Sequence, residues 1–153
     1  MKLGILSDTH FHSIDELPPD ILEVLANVDI IIHAGDFTAL PILEGLKEIG
    51  NVVAVQGNMD SEAIKSILPR KQILEVGNRK LGIIHGWGSP LGIKKRVGEE
   101  FDAVDVIIFG HSHQPANETI GGVLFFNPGE ARNTFGILEI DEETRGQILP
   151  VSC

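Results

Sequence analysis

Strand and helix alternate through the first two thirds of this 153-residue chain, and the last third reads almost entirely as strand. Several strands are continuous apolar runs, such as Ile30-Ile31-Ile32 and Val106-Ile107-Ile108-Phe109. Runs of this kind are buried on both faces. Together these observations predict an α/β protein in which two sheets pack together and helices cover the outer faces. A single doubly wound sheet does not fit, because the final third has no helices to cover it.

The elements follow in order. Leu3 to Leu6 is a buried strand that ends in Ser7-Asp8-Thr9-His10. Pro18-Pro19-Asp20 opens a helix, since proline suits a first turn and an acidic residue there suits the helix dipole. Ile21, Leu22, Leu25 and Val28 give that helix one apolar face. Asp29 to His33 is a second strand, running into Ala34-Gly35-Asp36. A helix from about Ala39 turns Leu43, Leu46 and Ile49 inward, with Gly50 as its stop. Val52 to Val55 is a third strand, ending in Gln56-Gly57-Asn58-Met59-Asp60. Ser61 caps a short helix carrying Ile64, Ile67 and Leu68, and Pro69 terminates it. Gln72 to Val76 and Lys80 to Ile84 flank Gly77-Asn78-Arg79 and read as a hairpin. Its second arm ends in His85-Gly86. Ser89-Pro90 opens a helix to about Phe101. Asp105 to Phe109 is the strand before Gly110-His111-Ser112-His113. Residues 116–119, 122–126, 134–140 and 146–151 read as strands joined by turns.

Composition bounds the function. The length suits one domain spanning residues 1–153, and a 42% hydrophobic content supplies a sizeable core. Twelve Lys+Arg against 22 Asp+Glu give a formal net charge of −10. General nucleic-acid binding and binding to an anionic membrane are therefore not expected, since both need a basic face. A small phosphate-bearing substrate remains compatible, because divalent cations can reverse the local sign. The single cysteine, Cys153, allows no internal disulfide and no cysteine-rich zinc site, and reads as a free thiol at the chain end. No segment approaches a signal-peptide core or a membrane span. The expected location is cytoplasmic, and homo-oligomers are left open.

The informative pattern is positional. Five apolar strands each run directly into a metal-competent side chain: Asp8 with His10, Asp36, Asn58, His85, then His111 with His113. In α/β sheets, ligands bind beyond the carboxyl ends of the strands. If the strands share a direction, four histidines, two aspartates and one asparagine converge on one edge. Such mixed N/O donors suit Mn, Fe, Co, Ni or Zn. Seven ligands exceed what one ion takes from protein, but suit two ions sharing a carboxylate. On extended backbone, imidazoles two residues apart point apart, which suits two ions better than one. Each residue also has a bland reading. Gly57-Asn58 is a turn dipeptide, His85 could be a hydrogen-bonded structural histidine, and Asp8-Thr9-His10 could be a capped turn. What disfavours those readings is their recurrence at five strand ends.

In this order, Asp8-x-His10, Gly35-Asp36, Gly57-Asn58, His85 and Gly110-His111-x-His113 resemble the calcineurin-like metallophosphoesterases. Short length, Gly57-Asn58-x-Asp60 and Asn127-Pro128-Gly129 are similar to the small, single-domain YfcE-type phosphodiesterases. The resemblance implies a four-layer α/β/β/α sandwich of two mixed sheets, and two divalent ions, Mn²⁺ foremost, with Ni²⁺, Fe²⁺, Co²⁺, Zn²⁺ or Mg²⁺ as alternatives. By family pattern, Asp8, His10 and His113 would bind one ion. Asn58, His85 and His111 would bind the other, and Asp36 would bridge them. A metal-bridging hydroxide would attack phosphorus in line, and Asn58 could also bond a phosphate oxygen. The implied activity is hydrolysis of phosphodiesters. Two alternatives stay open: an interaction scaffold on the same fold, like the retromer subunit, or a hydrolase for phosphomonoesters or nucleotides.

One departure from the family pattern matters. Larger members carry Gly-Asn-His, whose histidine helps protonate the leaving group, where this chain has Met59. A general acid contributes about 10²–10⁴-fold, so slow turnover and a preference for good leaving groups are expected. His12 is the spare imidazole near the motif, either the acid or an exposed loop residue. His33 reads as a buried structural histidine, and Asp60 as an orienting or helix-start residue. Glu130 and Arg132 read as a surface pair ahead of pocket residues. Trp87 reads as a pocket wall or as packing on the following helix.

Overall fold

The computed structural model describes residues 1–151; Cys153 lies outside the described residues. Two five-stranded mixed sheets form its centre. In the first sheet, β1 (Lys2–Leu6) lies beside β2 (Ile30–His33), which lies beside β3 (Val52–Ala54), all parallel. The C-terminal hairpin of β9 (Thr134–Ile140) and β10 (Thr144–Pro150) completes it, with β9 antiparallel to β1. The second sheet has the order β4-β5-β6-β8-β7, from β4 (Lys71–Val76), β5 (Arg79–Ile84), β6 (Val106–Ile108), β7 (Ala116–Ile120) and β8 (Val123–Asn127). Within it, β5, β6 and β8 are parallel.

Pleat alternation assigns each face. Leu3 and Ile5 of β1 and Val106 and Ile108 of β6 meet between the sheets, with Ile32, Leu81, Ile83, Phe126 and Leu138. Leu6 and Ile31 face outward instead, under α1 (Pro19–Leu25) and α2 (Leu40–Ile49), whose Ile21, Leu25, Ile42, Leu43 and Leu46 cover them. On the other side Ile107, Phe109 and Phe125 pack against Ile93 and Val97 of α4 (Ile93–Gly98). The result is the expected α/β/β/α order, with few and short helices. No helix among the described residues is long and apolar enough to cross a membrane.

Three local expectations need correction. The helix expected from Ser89-Pro90 to about Phe101 is only α4, because Gly92 is left-handed at φ 81° and breaks the chain before it. The helix expected to reach Val28 ends at Leu25. The hairpin turn is two residues, Gly77-Asn78, one shorter than expected, with Gly77 at φ 59°. Ser61 does cap α3 (Glu62–Lys65): its Oγ accepts the Ile64 N–H at 3.4 Å.

Candidate metal centre

The carboxyl ends of β1, β2, β3, β5 and β6 bring Asp8, His10, Asp36, Asn58, His85, His111 and His113 towards one edge of the sandwich. Asp8 is fully buried, Asp36 is 2% exposed and His85 3% exposed. Asp8 Oδ1 lies 3.4 Å from His113 Nε2 and 3.8 Å from His85 Nε2. Asp36 Oδ2 lies 3.2 Å from His85 Nε2. The His10 and His113 rings stand 5.7 Å apart, and those of His85 and His111 5.3 Å apart. His111 Nδ1 lies 3.3 Å from Asn58 Oδ1, and its Nε2 lies 2.9 Å from the Gly88 carbonyl.

The donor set fits cations. Two groups have ligand atoms all within 4.8 Å of one another: Asp8 with His10 and His113, and Asp8 with Asp36 and His85. Buried side-chain atoms with no hydrogen-bond partner include Asp8 Oδ1, His10 Nε2 and His85 Nε2. His85 is the clearest case. Its Nδ1 lies 2.8 Å from the Ala34 carbonyl, which can only accept, so Nδ1 carries a proton. In the neutral ring, Nε2 then presents a lone pair to two carboxylates. Acceptors facing one another in a buried space need a proton or a metal ion between them.

The titration behaviour has the same origin. Burial pushes Asp8 above its ordinary value, more than His85, Ser7 and His113 pull it down. Burial also opposes ionisation of Asp36, but the contact and charge of His85 and the Met59 N–H outweigh it and hold Asp36 low. Burial disfavours His85 charging, yet Asp36 and then Asp8 overcome this and raise it.

In this geometry Asp8 belongs to both groups, whereas Asp36, expected to bridge, belongs to one. Asn58 and His111 meet each other at the second group's exposed margin. The two histidines of Gly110-His111-Ser112-His113 meet different partners, His113 beside His10 and Asp8 and His111 beside His85 and Asn58, but not on extended backbone. Both are left-handed, His111 at φ 68° and His113 at φ 62°. The same kink recurs at i and i+2 after β1, in Asp8 (54°) and His10 (51°), and after β2, in Asp36 (62°) and Thr38 (70°). Each such residue stores on the order of 1–3 kcal/mol.

That strain is held by polar contacts that the chain supplies around the ligands. The Asp60 carboxylate accepts the N–H groups of Asp36 (3.0 Å), Gly57 (2.7 Å) and Thr38 (2.8 Å), the orienting role read for it from the sequence. Met59 N–H donates to Asp36 Oδ1 at 2.8 Å, although the Met59 side chain is 60% exposed. Ser7 Oγ–H donates to Asp8 Oδ2 at 2.7 Å. A Cβ at Gly110 would overlap Ser7 Oγ, and one at Gly57 would overlap Asp36 Oδ1, so both positions need glycine.

Sequence reading missed Asn127. Fully buried, its Nδ2 donates to the Gly110 carbonyl (3.2 Å) and to Ser112 Oγ (3.1 Å), while Oδ1 accepts the Gly129 N–H at 2.9 Å. It therefore fixes the loop that carries His111 and His113. Its only signal was its place in Asn127-Pro128-Gly129 at the end of an apolar strand. Glu130 and Arg132 do not form the expected surface pair. Glu130 Oε2 faces His113 Nδ1 at 3.6 Å, and Arg132 lies 5.4 Å over the Phe11 ring. His12 is exposed, and none of the described contacts joins it to a site residue. His33 is buried as expected, and Trp87 is 42% exposed on a cavity wall.

Residues 1–143 match the calcineurin-like phosphoesterase superfamily domain, and the chain belongs to that family. Among its relatives is a probable metallophosphoesterase of Methanocaldococcus jannaschii, 37% identical over 163 residues, covering 99% of this chain and 82% of that one. A phosphodiesterase of the same archaeon is 31% identical, covering 97% and 99%. The solved structure of a Vps29 in complex with zinc, from Entamoeba histolytica, superposes with a TM-score of 0.72 over 99% of this chain and 100% of that one. At 22% identity that likeness concerns the fold alone.

Proposed function

We propose that this metallophosphoesterase hydrolyses phosphodiester bonds of small substrates with two divalent ions. Asp8, His10 and His113 would hold one ion, and His85, Asn58 and His111 the other, with Asp36 shared. The observation that carries the reading is the His85 Nε2 lone pair facing two buried carboxylates, beside the unpartnered Asp8 Oδ1 and His10 Nε2. When bound, such ions supply hydroxide near neutral pH and stabilise charge building at phosphorus. The chain's own part is positional. Met59 N–H and Asp60 hold Asp36 and its loop in register, and the Asn58 amide is exposed to donate to a phosphate oxygen. Met59 offers no proton to a leaving group, and His12 stands apart, so the leaving oxygen departs without help from a histidine.

Elemental analysis of the purified protein, with a Mn²⁺-supplemented panel of aryl diesters and monoesters, tests this. The expected result is bound divalent metal, diesters hydrolysed ahead of monoesters, and rates that fall steeply as the leaving group becomes more basic. Asp36→Asn should lose more than the roughly 10–100-fold that an orienting partner is worth. No bound metal and no diester hydrolysis with any divalent ion would overturn the reading. The exposed Met59 favours one second reading, a binding scaffold on this fold; metal binding without turnover of any ester would select it.

A further inference from the structure

We infer that the cavity beside His85 receives an ester arm that is aromatic and carries its own negative charge. This inference rests on the phosphodiesterase reading above. The cavity holds about 350 Å³, within the roughly 300–1,000 Å³ of small-molecule sites. It begins at Asn58 and His85, two of the proposed ligands, and runs past Gln56 to Lys65, Arg70 and Trp87. A phosphodiester held at the metal edge therefore has a built space beside it for one of its two arms.

The lining specifies the arm. Among the described residues no acidic side chain lines the cavity, although the chain carries a net charge of −10. Two cations do. Lys65 Nζ reaches the Asn58 carbonyl at 3.4 Å, which places an ammonium directly beside the metal edge. Arg70 Cζ stands 5.6 Å from the Trp87 ring centroid, and its Nη2 also pairs with Glu100. A guanidinium has five N–H donors, so that pairing leaves others for a guest. Trp87 presents a half-exposed indole to the same space, a surface on which flat rings stack. A neutral alkyl arm would gain from neither feature. A long polyanion would meet the charge of the rest of the chain.

Both walls are already in place. Gln56 Nε2 donates to the Lys65 and Leu68 carbonyls at 3.2 and 2.7 Å, which fixes the end of α3. Arg96 Nε donates to the Trp87 carbonyl at 3.0 Å. Binding then orders little backbone, which lowers its entropic cost.

Trp87 is the only tryptophan and the chain has no tyrosine, so protein emission reports on this cavity. Thymidine 3′,5′-bisphosphate, titrated into the purified protein, should change that emission saturably. Thymidine, a ring without charge, and glycerol phosphate, a charge without a ring, should each bind at least about tenfold more weakly. Lys65→Ala with Arg70→Ala should weaken the bisphosphate by about tenfold or more, with circular dichroism unchanged. In a kinetic arm, thymidine 3′-phosphate 5′-(p-nitrophenyl phosphate) should exceed p-nitrophenyl methyl phosphate in kcat/KM, and Trp87→Ala should bring that ratio towards one. An emission unmoved by the bisphosphate, or an unchanged ratio in Trp87→Ala, overturns the inference. Absence of hydrolysis with every ester and metal overturns the phosphodiesterase reading instead, since the emission titration needs no turnover.

Discussion

The two sheets bring different chemistry to the shared edge. The first contributes both carboxylates, together with His10 and Asn58; the second contributes His85, His111 and His113. The halves also differ in how firmly they are held. Asp8 and Asp36 are buried and tied by Ser7, Met59 N–H and the loop that Asp60 organises. His111 and His113 sit at the solvent margin, with His113 44% exposed in its side chain. Their loop rests on Asn127. The lesson is one of order: Asp8 and Asp36 form a fixed buried anchor with His85, and His111 and His113 stand over it on an accessible side.

Removing the brace of each half tests that contrast. Asp60→Asn should have the larger effect. An asparagine keeps one acceptor oxygen and replaces the other with an amide donor. Either the Thr38 N–H or the pair from Asp36 and Gly57 would then face another donor. Loss of an orienting partner lowers metal affinity or activity about 10–100-fold. Calorimetric titration with Mn²⁺ should show both sites weakened, because both depend on where Asp36 and its neighbours sit. Unchanged affinity would show that Asp36 is held by Met59 N–H alone.

Asn127→Ala comes next. It leaves the Gly129 N–H buried without its partner and takes from the Gly110 carbonyl one of its two donors, Ser112 N–H being the other, and the orphaned N–H costs about 1–3 kcal/mol. Urea unfolding measures that loss. In metal titrations the variant should weaken both sites, since the released loop offers His111 to one and His113 to the other, but by less than Asp60→Asn does, since Asp8 and Asp36 stay tied by Ser7 and Met59 N–H. A loss as large as that of Asp60→Asn would break the contrast between halves.

Much of this was legible in the chain. Continuous apolar strands ending in Asp, Asn and His gave the layers, because the pleat is a local property of sequence, and gave the convergence on the condition of a shared strand direction, which the parallel pairings meet. The helix-free last third showed that a second sheet was needed. The left-handed pairs were not legible. Asp8, His10, Asp36, Thr38, His111 and His113 carry no glycine signal, and a β-branched residue such as Thr38 is an outlier there. Its conformation depends on Asp60, 22 residues away, accepting its N–H. Asn127 was missed, and Glu130 read to the surface ahead of the pocket, for the same reason. Their roles lie in contacts across the sheet to the His111 and His113 loop, and spacing along the chain says nothing of those contacts. The length of α4 was misread because Gly92 turned left-handed where a proline start was expected.

The smallest predicted effect concerns how the acidic half is locked from beneath. His33 is fully buried at the end of β2, stacked on Phe37 at 3.6 Å. Its Nδ1 accepts the Gly35 N–H at 3.0 Å, so the proton of the neutral ring is on Nε2 and points to Thr9 Oγ1 at 3.2 Å. One side chain thus ties the loop of Asp36 to the loop of Asp8. Burial, and then the neighbouring His85, lower its pKa to about 3. The unfolded chain takes up this proton near pH 6.5 and the folded chain does not, so the contribution is whole above pH 6.5 and is lost as pH falls towards 3. Asp8 and His85, both raised, act in the opposite direction as pH falls, so the His33 part is read as a difference between proteins. His33→Gln keeps an acceptor and a donor but cannot titrate. With metal chelated, urea unfolding should show the wild-type chain losing about 0.8 kcal/mol relative to this variant between pH 8 and pH 6. Parallel curves for the two proteins would mean that His33 is not the neutral buried tie between the two carboxylate loops.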